Sequence, residues 1–169
     1  FDQHRDGINL GEASGFAVLQ RAGENDNGRG ITLAGYGESS DAHHMSHPHP
    51  DGLGARLSMT QALKRAALSP ESVDYINLHG TSSRANDLIE GKLISELFPA
   101  SVRCSSTKAW MGHTLGAAGI TEAIIAMDTL HTNVIPGSKN LETLDEALDF
   151  SIKATDEEKV CQHVMTNSF

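Results

Sequence analysis

Hydrophobic residues along the chain follow two different spacings, and the two spacings alternate. Short apolar runs of strand length predict strands over Gly11–Leu19, Ile31–Tyr36, Tyr75–Leu78, Val102–Cys104 and Cys161–Asn167. Apolar residues at helical spacing predict helices over Ala55–Leu68, Leu88–Phe98 and Gly116–Leu130. This alternation of strands and helices is typical of an α/β fold with a largely parallel sheet.

Two of the predicted strands end in polar loops that carry titratable side chains. His79 follows Tyr75–Leu78 directly, and Lys108 and His113 lie in the loop after Val102–Cys104. In open α/β sheets, ligands collect beyond the carboxyl ends of the strands. A single histidine at such a place is more often structural. Two histidines and a lysine at one edge of a sheet favour a functional site.

The motifs around these residues resemble those of one family. They are His79-Gly-Thr-Ser-Ser with Asn86-Asp87, Ser106-Thr107-Lys108, Gly112-His113-x-x-Gly-Ala-Ala-Gly, the opening Phe1-Asp2-x-x-Arg5-Asp6-Gly7 and the closing Asn167-Ser168-Phe169. Taken in this order, over the whole chain, they resemble the condensing enzymes called β-ketoacyl-acyl-carrier-protein synthases. The resemblance implies a thiolase-like layered α/β fold, of which residues 1–169 form the C-terminal half. In that half we expect one mixed sheet flanked by helices on both faces.

The resemblance also implies a reaction, decarboxylative Claisen condensation, in which a malonyl thioester loses CO2 and attacks an acyl group held on a cysteine. His79 and His113 are then expected to donate hydrogen bonds to the developing enolate oxygen. Lys108 is expected to be buried and to position His113 without acting as a nucleophile. Its expected partners in one ion-paired cluster are three acids: Asp87, Glu90 and Glu122. Asp87 has a simpler alternative interpretation, as a cap of the helix that begins at Leu88.

The resemblance implies no bound cofactor, because the substrates are carried on the phosphopantetheine arm of an acyl carrier protein. That carrier protein is therefore an expected partner. Thr81, Ser83 and Ser46 are expected to contact the arm through their hydroxyl groups. Ser83 stands where the family usually has threonine, a departure that retains the hydroxyl.

The nucleophilic cysteine of the family has no counterpart in the sequence. Cys104 and Cys161 both fall within predicted strands, and we interpret them as small buried hydrophobic residues. We therefore expect the chain to be the C-terminal half of a condensing enzyme, inactive without the N-terminal half that carries the cysteine. For the full enzyme the resemblance implies a homodimer or a heterodimer.

Two other functions remain open at this point. One is a non-catalytic subunit, similar to a chain-length factor, in a condensing-enzyme heterodimer; the presence of His79, His113 and Lys108 disfavours it. The other is a thiolase relative that uses free coenzyme A. A thiolase site pairs a histidine with a second cysteine, which the loop from Lys108 to His113 does not match.

Composition narrows the classes of partner. The 169 residues carry a formal net charge of -9 at pH 7, which argues against binding to nucleic acids and to anionic membranes. No apolar stretch reaches transmembrane length. An acidic carrier protein would need a local basic patch, because the overall charge repels it. The two cysteines favour a reduced, cytoplasmic setting over a disulfide scaffold.

The segment Asp41–Gly54 contains a group of histidines: His43, His44, His47 and His49. Histidine clusters can bind zinc, but this spacing, interrupted by prolines, matches no compact ligand template. We expect no metal site here. Zinc is accordingly expected to leave the thermal midpoint of the protein unchanged.

Overall fold

The computed structural model describes residues 1–21, 30–45 and 47–169. Within these residues the helices are α1 Leu53–Ala66, α2 Arg84–Leu97, the one-turn helix α3 Lys108–Met111 and α4 Ala118–Thr132. The strands are β1 Tyr75–Asn77, β2 Arg103–Ser105, β3 Val134–Ile135, β4 Glu157–Glu158 and β5 Val164–Thr166. Turns of 3₁₀ helix cover Pro70–Ser72 and Leu115–Ala117. None of these helices is both long and apolar enough to cross a membrane.

The central sheet is parallel and has the strand order β2-β1-β5. Ile76 of β1 lies opposite Cys104 of β2 on one side and opposite Met165 of β5 on the other. β3 and β4 pair in the antiparallel direction and form a separate two-stranded sheet. The predicted α/β class is confirmed. The parallel and antiparallel strand pairs that we expect in one mixed sheet occur in two separate sheets. Because β1 and β2 run in the same direction, the loops that follow them leave the sheet at the same edge.

Helices cover both faces of the parallel sheet, as predicted. Successive residues of a strand point to opposite faces, and the two faces of β1 belong to different cores. Ile76 packs in the larger core with Met59 of α1 and Ile94 of α2. Tyr75 packs in the smaller core, against Leu130 of α4. The sheet is thus enclosed between α1 and α2 on one side and α4 on the other.

The helix predictions are confirmed in position, with one informative difference at a helix start. The helix predicted to begin at Leu88 begins at Arg84, after Ser83 in an extended conformation at the N-cap. Asp87 therefore lies within the first turn of α2 and does not precede it. Its carboxylate contacts Arg5, a tertiary contact that capping of the helix does not explain.

Two of the predicted strands are wrong. The runs Gly11–Leu19 and Ile31–Tyr36 form no strand in the structure, and Val18 is 95% exposed. A strand requires a neighbouring backbone to pair with its N–H and C=O groups, and no named strand of the described residues pairs with either run. The second run lies instead against α1, so closely that a Cβ atom on Gly35 would collide with the carbonyl of Ala62.

Candidate active site

The rings of His79 and His113 meet at the carboxyl edge of the parallel sheet. His79 lies just beyond β1, and His113 lies between α3 and the 3₁₀ turn that begins at Leu115. Their ring centroids are 5.3 Å apart and the ring planes are inclined at 86°. The structure thus brings together the two histidines that the sequence analysis assigns to neighbouring loop tips.

Two glycines with positive φ shape the backbone next to these histidines. Gly80, which follows His79, has φ +44° and packs against the next loop. A Cβ atom on Gly80 would lie 2.6 Å from Cβ of Ser106. Gly112, with φ +76°, precedes His113, and a Cβ atom there would lie 2.7 Å from the backbone nitrogen of Gly11. Only glycine combines this conformation with so little space. The glycines in the two motifs are therefore steric requirements of the loops.

Backbone N–H groups define the tautomers of both rings. The N–H of Phe169 donates to Nδ1 of His79 at 3.4 Å, and the N–H of Leu115 donates to Nδ1 of His113 at 3.3 Å. A neutral imidazole whose Nδ1 accepts a hydrogen bond carries its proton on Nε2. Each ring therefore presents Nε2–H as its donor.

Both rings are held in the neutral state. Burial is the largest cause that lowers the pKa of His79, and electrostatic interactions with Lys108 and with His113 lower it further, to about 3. Burial also lowers the pKa of His113, with a second contribution from Lys108. At neutral pH the site therefore offers two uncharged imidazole donors.

Lys108 is buried, as the resemblance implies, and forms an ion pair with Glu122 of α4. Lys108 begins α3, and the backbone N–H of Gly112 donates to its carbonyl at 2.8 Å. Burial raises the pKa of Glu122, and the Lys108 ammonium opposes that effect without cancelling it. The pair joins the loop before His113 to the helix after it.

The expected single cluster of Lys108 with three acids is wrong, because Lys108 pairs with Glu122, while the two acids of α2 have other partners. Asp87 lies on α2, and its Oδ2 is 3.2 Å from Nε of Arg5 and 2.7 Å from the nitrogen of Phe1. Arg5 also donates to Oδ2 of Asp145 at 2.7 Å. The partner of Lys108 is thus Glu122, while Asp87 fixes the N-terminal segment against α2.

Glu90, the remaining acid, binds backbone groups instead of a cation. Its carboxylate accepts the N–H of His79 at 2.8 Å, the N–H of Gly80 at 2.9 Å and the side-chain amide of Asn167 at 3.2 Å. Burial raises the pKa of Glu90 to about 7, and these hydrogen bonds oppose the rise. Glu90 therefore acts on the site through the loop that carries His79.

Sequence reasoning missed the roles of Arg5 and Asn167, although both belong to quoted motifs. Arg5 contacts Asp145, which is 140 positions away in the chain, and Asn167 contacts Glu90, which is 77 positions away. No periodicity or short spacing reports contacts at such separations. The motifs marked the residues, and the fold was needed to show what they touch.

Of the three predicted phosphopantetheine contacts, Thr81 shares a cavity with His113, and Ser83 adjoins Thr81. Thr81 lines a cavity of about 280 Å³ that Lys108 and His113 also line. Its hydroxyl donates to Ser83 Oγ at 3.1 Å, so the two hydroxyl groups adjoin each other. Ser46, the third, lies outside the described residues. A larger cavity, of about 650 Å³, lies between α1 and the end of the chain at Phe169.

The two cysteines are unpaired and buried, which confirms their interpretation as small core residues. Burial raises the pKa of both thiols. A thiol of raised pKa in an apolar core is a poor nucleophile.

The histidine-rich segment contains pairs of rings. Nδ1 of His44 lies 3.1 Å from Nδ1 of His47, and the rings of His43 and His49 have centroids 5.0 Å apart. Within the described part of the chain, no three metal-ligating side chains group together in a way that could hold a metal ion.

Comparison with known proteins agrees with this geometry. The family model described as beta-ketoacyl synthase, C-terminal domain, matches residues 31–142. The mitochondrial 3-oxoacyl-[acyl-carrier-protein] synthase of Arabidopsis thaliana is 39% identical over 100% of this chain. The ishigamide ketosynthase/chain length factor superposes with a TM-score of 0.86 at 30% identity, covering 98% of this chain and 42% of that chain. The ketosynthase ApeO, in complex with its chain length factor ApeC from Xenorhabdus doucetiae, has a TM-score of 0.73 at 42% identity, covering 81% and 35%.

These matches establish the family of the chain and show which part of the family's proteins it corresponds to. The chain covers 39% of the length of the Arabidopsis protein, and the solved relatives are longer in similar proportion. The matched family model spans most of the described chain, including β1, β2 and both histidines. The chain therefore belongs to the β-ketoacyl synthase family, of which it carries the C-terminal domain.

Proposed function

We propose that this domain supplies the hydrogen-bond donors for decarboxylative Claisen condensation in a β-ketoacyl-acyl-carrier-protein synthase. The observation that carries the proposal is the meeting of His79 and His113 at 5.3 Å, each with Nδ1 occupied by a backbone N–H. Two Nε2–H donors close together suit a single small acceptor atom. Such an acceptor is the thioester oxygen on which negative charge develops.

The chemical step follows from this donor pair. The bond between the malonyl carboxylate and the α-carbon breaks, CO2 leaves, and the bonding electrons form an enolate whose charge rests on the thioester oxygen. The α-carbon then attacks the carbonyl carbon of the acyl thioester, and the cysteine thiolate leaves. Donors fixed at the developing oxyanion lower the barrier because they need no reorganisation during the reaction.

The lowered pKa values keep both rings neutral over a wide pH range. An imidazolium would also donate a hydrogen bond, but burial and the Lys108 ammonium make a positive charge on the His79 ring costly. The Lys108–Glu122 pair is assigned a supporting role, holding α3 and the backbone that presents His113. The amine is bound to a carboxylate, which argues against its acting as a nucleophile.

The substrates proposed for the full protein are acyl and malonyl groups on an acyl carrier protein, in fatty acid or polyketide elongation. One solved relative is a type II polyketide ketosynthase bound to its acyl-carrier protein, and this proposal extends that partnership to the present chain. Thr81 and Ser83, together with Ser46, are assigned to the phosphopantetheine arm. We place the full protein in the cytoplasm, as a homodimer or heterodimer, with no nucleic acid, membrane or metal partner.

A chain-length-factor role is the second candidate. It is favoured by the relatives solved as ketosynthase and chain-length-factor pairs. The retention of His79, His113 and Lys108 in one site disfavours it, because a non-catalytic subunit has no need of an enolate site. Membership of the β-ketoacyl synthase family disfavours the thiolase alternative.

Release of CO2 from malonyl-acyl-carrier protein tests the function in the full-length protein that contains this domain. His79→Ala and His113→Ala are each expected to lower the rate by about 10²–10³, the usual cost of one such donor. His131→Ala, an exposed histidine of α4, is the matched control and is expected to have no effect. Unchanged rates in both site variants would exclude the donor role. A wild-type protein without decarboxylase activity would favour the chain-length-factor role.

The domain of 169 residues is proposed to be inactive alone, because neither of its cysteines can serve as the nucleophile. Condensation activity of the isolated chain would contradict this assignment.

A further inference from the structure

Leu115 has an unusual backbone conformation for its residue type. Its φ is +52°, in the left-handed region where a Cβ atom is close to the following carbonyl oxygen. Its side chain is 59% exposed, so the packing of that side chain does not account for the conformation. The residue that follows is a glycine, Gly116, and its φ is not positive. The chain therefore places the costly conformation on leucine although glycine is one position away.

The backbone of Leu115 has two contacts. Its N–H donates to Nδ1 of His113 at 3.3 Å, and its carbonyl accepts the N–H of Ala118 at the start of α4. The second contact belongs to the 3₁₀ turn and would form equally after a glycine. The direction of the N–H in the first contact is set by the peptide plane between Thr114 and Leu115. Because His113 and α4 hold the chain on either side of that plane, a change of φ at Leu115 would have to be absorbed by its rotation. The position of the strain is thus tied to the histidine ring.

Strained backbone persists where the surrounding structure over-determines it, and it collects at functional sites. We propose that Leu115 is a positioning residue for His113: its left-handed conformation keeps the peptide plane before it, and with it the Leu115 N–H, directed at Nδ1 of His113, which holds the Nε2–H tautomer. His79 receives the corresponding contact from Phe169, a residue distant in sequence, whereas His113 receives it from its own loop. This inference rests on the proposed function for its catalytic consequence, but not for its structural content.

Two substitutions at Leu115 separate backbone conformation from side-chain packing. Leu115→Gly retains the N–H and adopts positive φ without penalty. Leu115→Val retains an apolar side chain of similar exposure, but a β-branched residue at positive φ is a steric outlier. In Leu115→Val the backbone is expected to leave the left-handed region and turn its N–H away from His113.

The structural readout is the tautomer of His113, observed by ¹⁵N NMR of the ring in the full-length protein. Wild type and Leu115→Gly are expected to show the Nε2–H form, and Leu115→Val a mixture of the two forms. Ala67→Val is the matched control, because Ala67 has φ +54° at the end of α1, away from both histidines. That variant is expected to lose stability without any change in the His113 signals.

The kinetic readout is the decarboxylation of malonyl-acyl-carrier protein. Leu115→Val is expected to lower kcat by about tenfold, less than the 10²–10³ that loss of a whole donor costs, and to leave KM nearly unchanged. An Nδ1 atom freed from its donor is more easily protonated, so the acidic limb of the pH profile is expected to move to higher pH. Ala67→Val is expected to change neither.

Identical His113 signals in Leu115→Val and wild type would overturn the inference, as would an equal change in Ala67→Val. Failure of the wild-type protein to decarboxylate its substrate would instead count against the proposed function. The NMR comparison would still decide the role of Leu115 in that case.

Discussion

Oε1 of Glu90 accepts the backbone N–H of His79 at 2.8 Å, so a carboxylate of α2 fixes the loop that presents a histidine. The same carboxylate binds Gly80 and the side chain of Asn167. The loops after β1 and β5 therefore share one buried anchor. A site that depends on the distance between two rings needs such rigid support behind its loops.

Glu90→Gln is expected to destabilise the full-length protein by about 1–3 kcal/mol, the usual cost of a buried unsatisfied donor. A carboxamide offers one oxygen and places an NH₂ group against a backbone N–H. Denaturant unfolding measures the effect. Glu96→Gln, on a more exposed part of the same helix, is the control and is expected to lose about 1 kcal/mol at most. Equal losses in the two variants would argue against Glu90 as an anchor.

His79 is expected to make stability fall in acid. Burial, Lys108 and His113 lower its pKa from 6.5 to about 3 in the folded protein. Between these values the unfolded chain binds a proton that the folded protein does not. The stability due to the neutral ring is therefore complete above pH 6.5 and is lost as the pH falls toward 3.

The expected slope for His79 is up to about 1.4 kcal/mol per pH unit within this window. His79→Gln removes the titrating group, so the variant is expected to lose less stability than wild type over the same pH range. Urea unfolding of the full-length protein at several pH values measures the difference, with the exposed His131→Gln as control. Parallel pH curves for wild type and His79→Gln would rule out this linkage.

Glu122→Gln is expected to cost about 3–5 kcal/mol, because it leaves the buried Lys108 ammonium without its carboxylate. The double variant Lys108→Met with Glu122→Gln is expected to recover much of that loss, since no uncompensated charge remains. A double-mutant cycle on unfolding free energies measures the coupling. Additive effects would show that the two side chains do not interact in solution.

Cys104 and Cys161 are expected to resist alkylation in the native protein, because burial raises the pKa of each thiol and excludes the reagent. Iodoacetamide treatment followed by peptide mass spectrometry measures modification at each position. The same treatment in denaturant supplies the control and is expected to modify both. Fast alkylation of either cysteine in the folded protein would contradict its placement in the core.

Short-range pattern predicted the elements that form the centre of the domain. The apolar run Tyr75–Leu78 became β1, and the stripe after Gly116 became α4, because spacing within a single element decides which face is buried. The runs Gly11–Leu19 and Ile31–Tyr36 have the same kind of pattern but form no strand. Strand pairing depends on a second segment of backbone, which a local pattern does not specify.

The sequence by itself determined where the histidines and Lys108 stand relative to their strands. His79 follows its strand directly, Lys108 and His113 lie in the segment after the next strand, and parallel strands end at one edge. The resemblance also named Asp87, Glu90 and Glu122 as the acids near these residues. Only the tertiary structure decided which partner each acid has. Glu122 forms an ion pair with Lys108, Asp87 forms one with Arg5, and Glu90 accepts the backbone N–H of His79. Those choices depend on how α2 and α4 are placed on opposite faces of the sheet, and the positions of packed helices follow from long-range contacts that no spacing along the chain encodes.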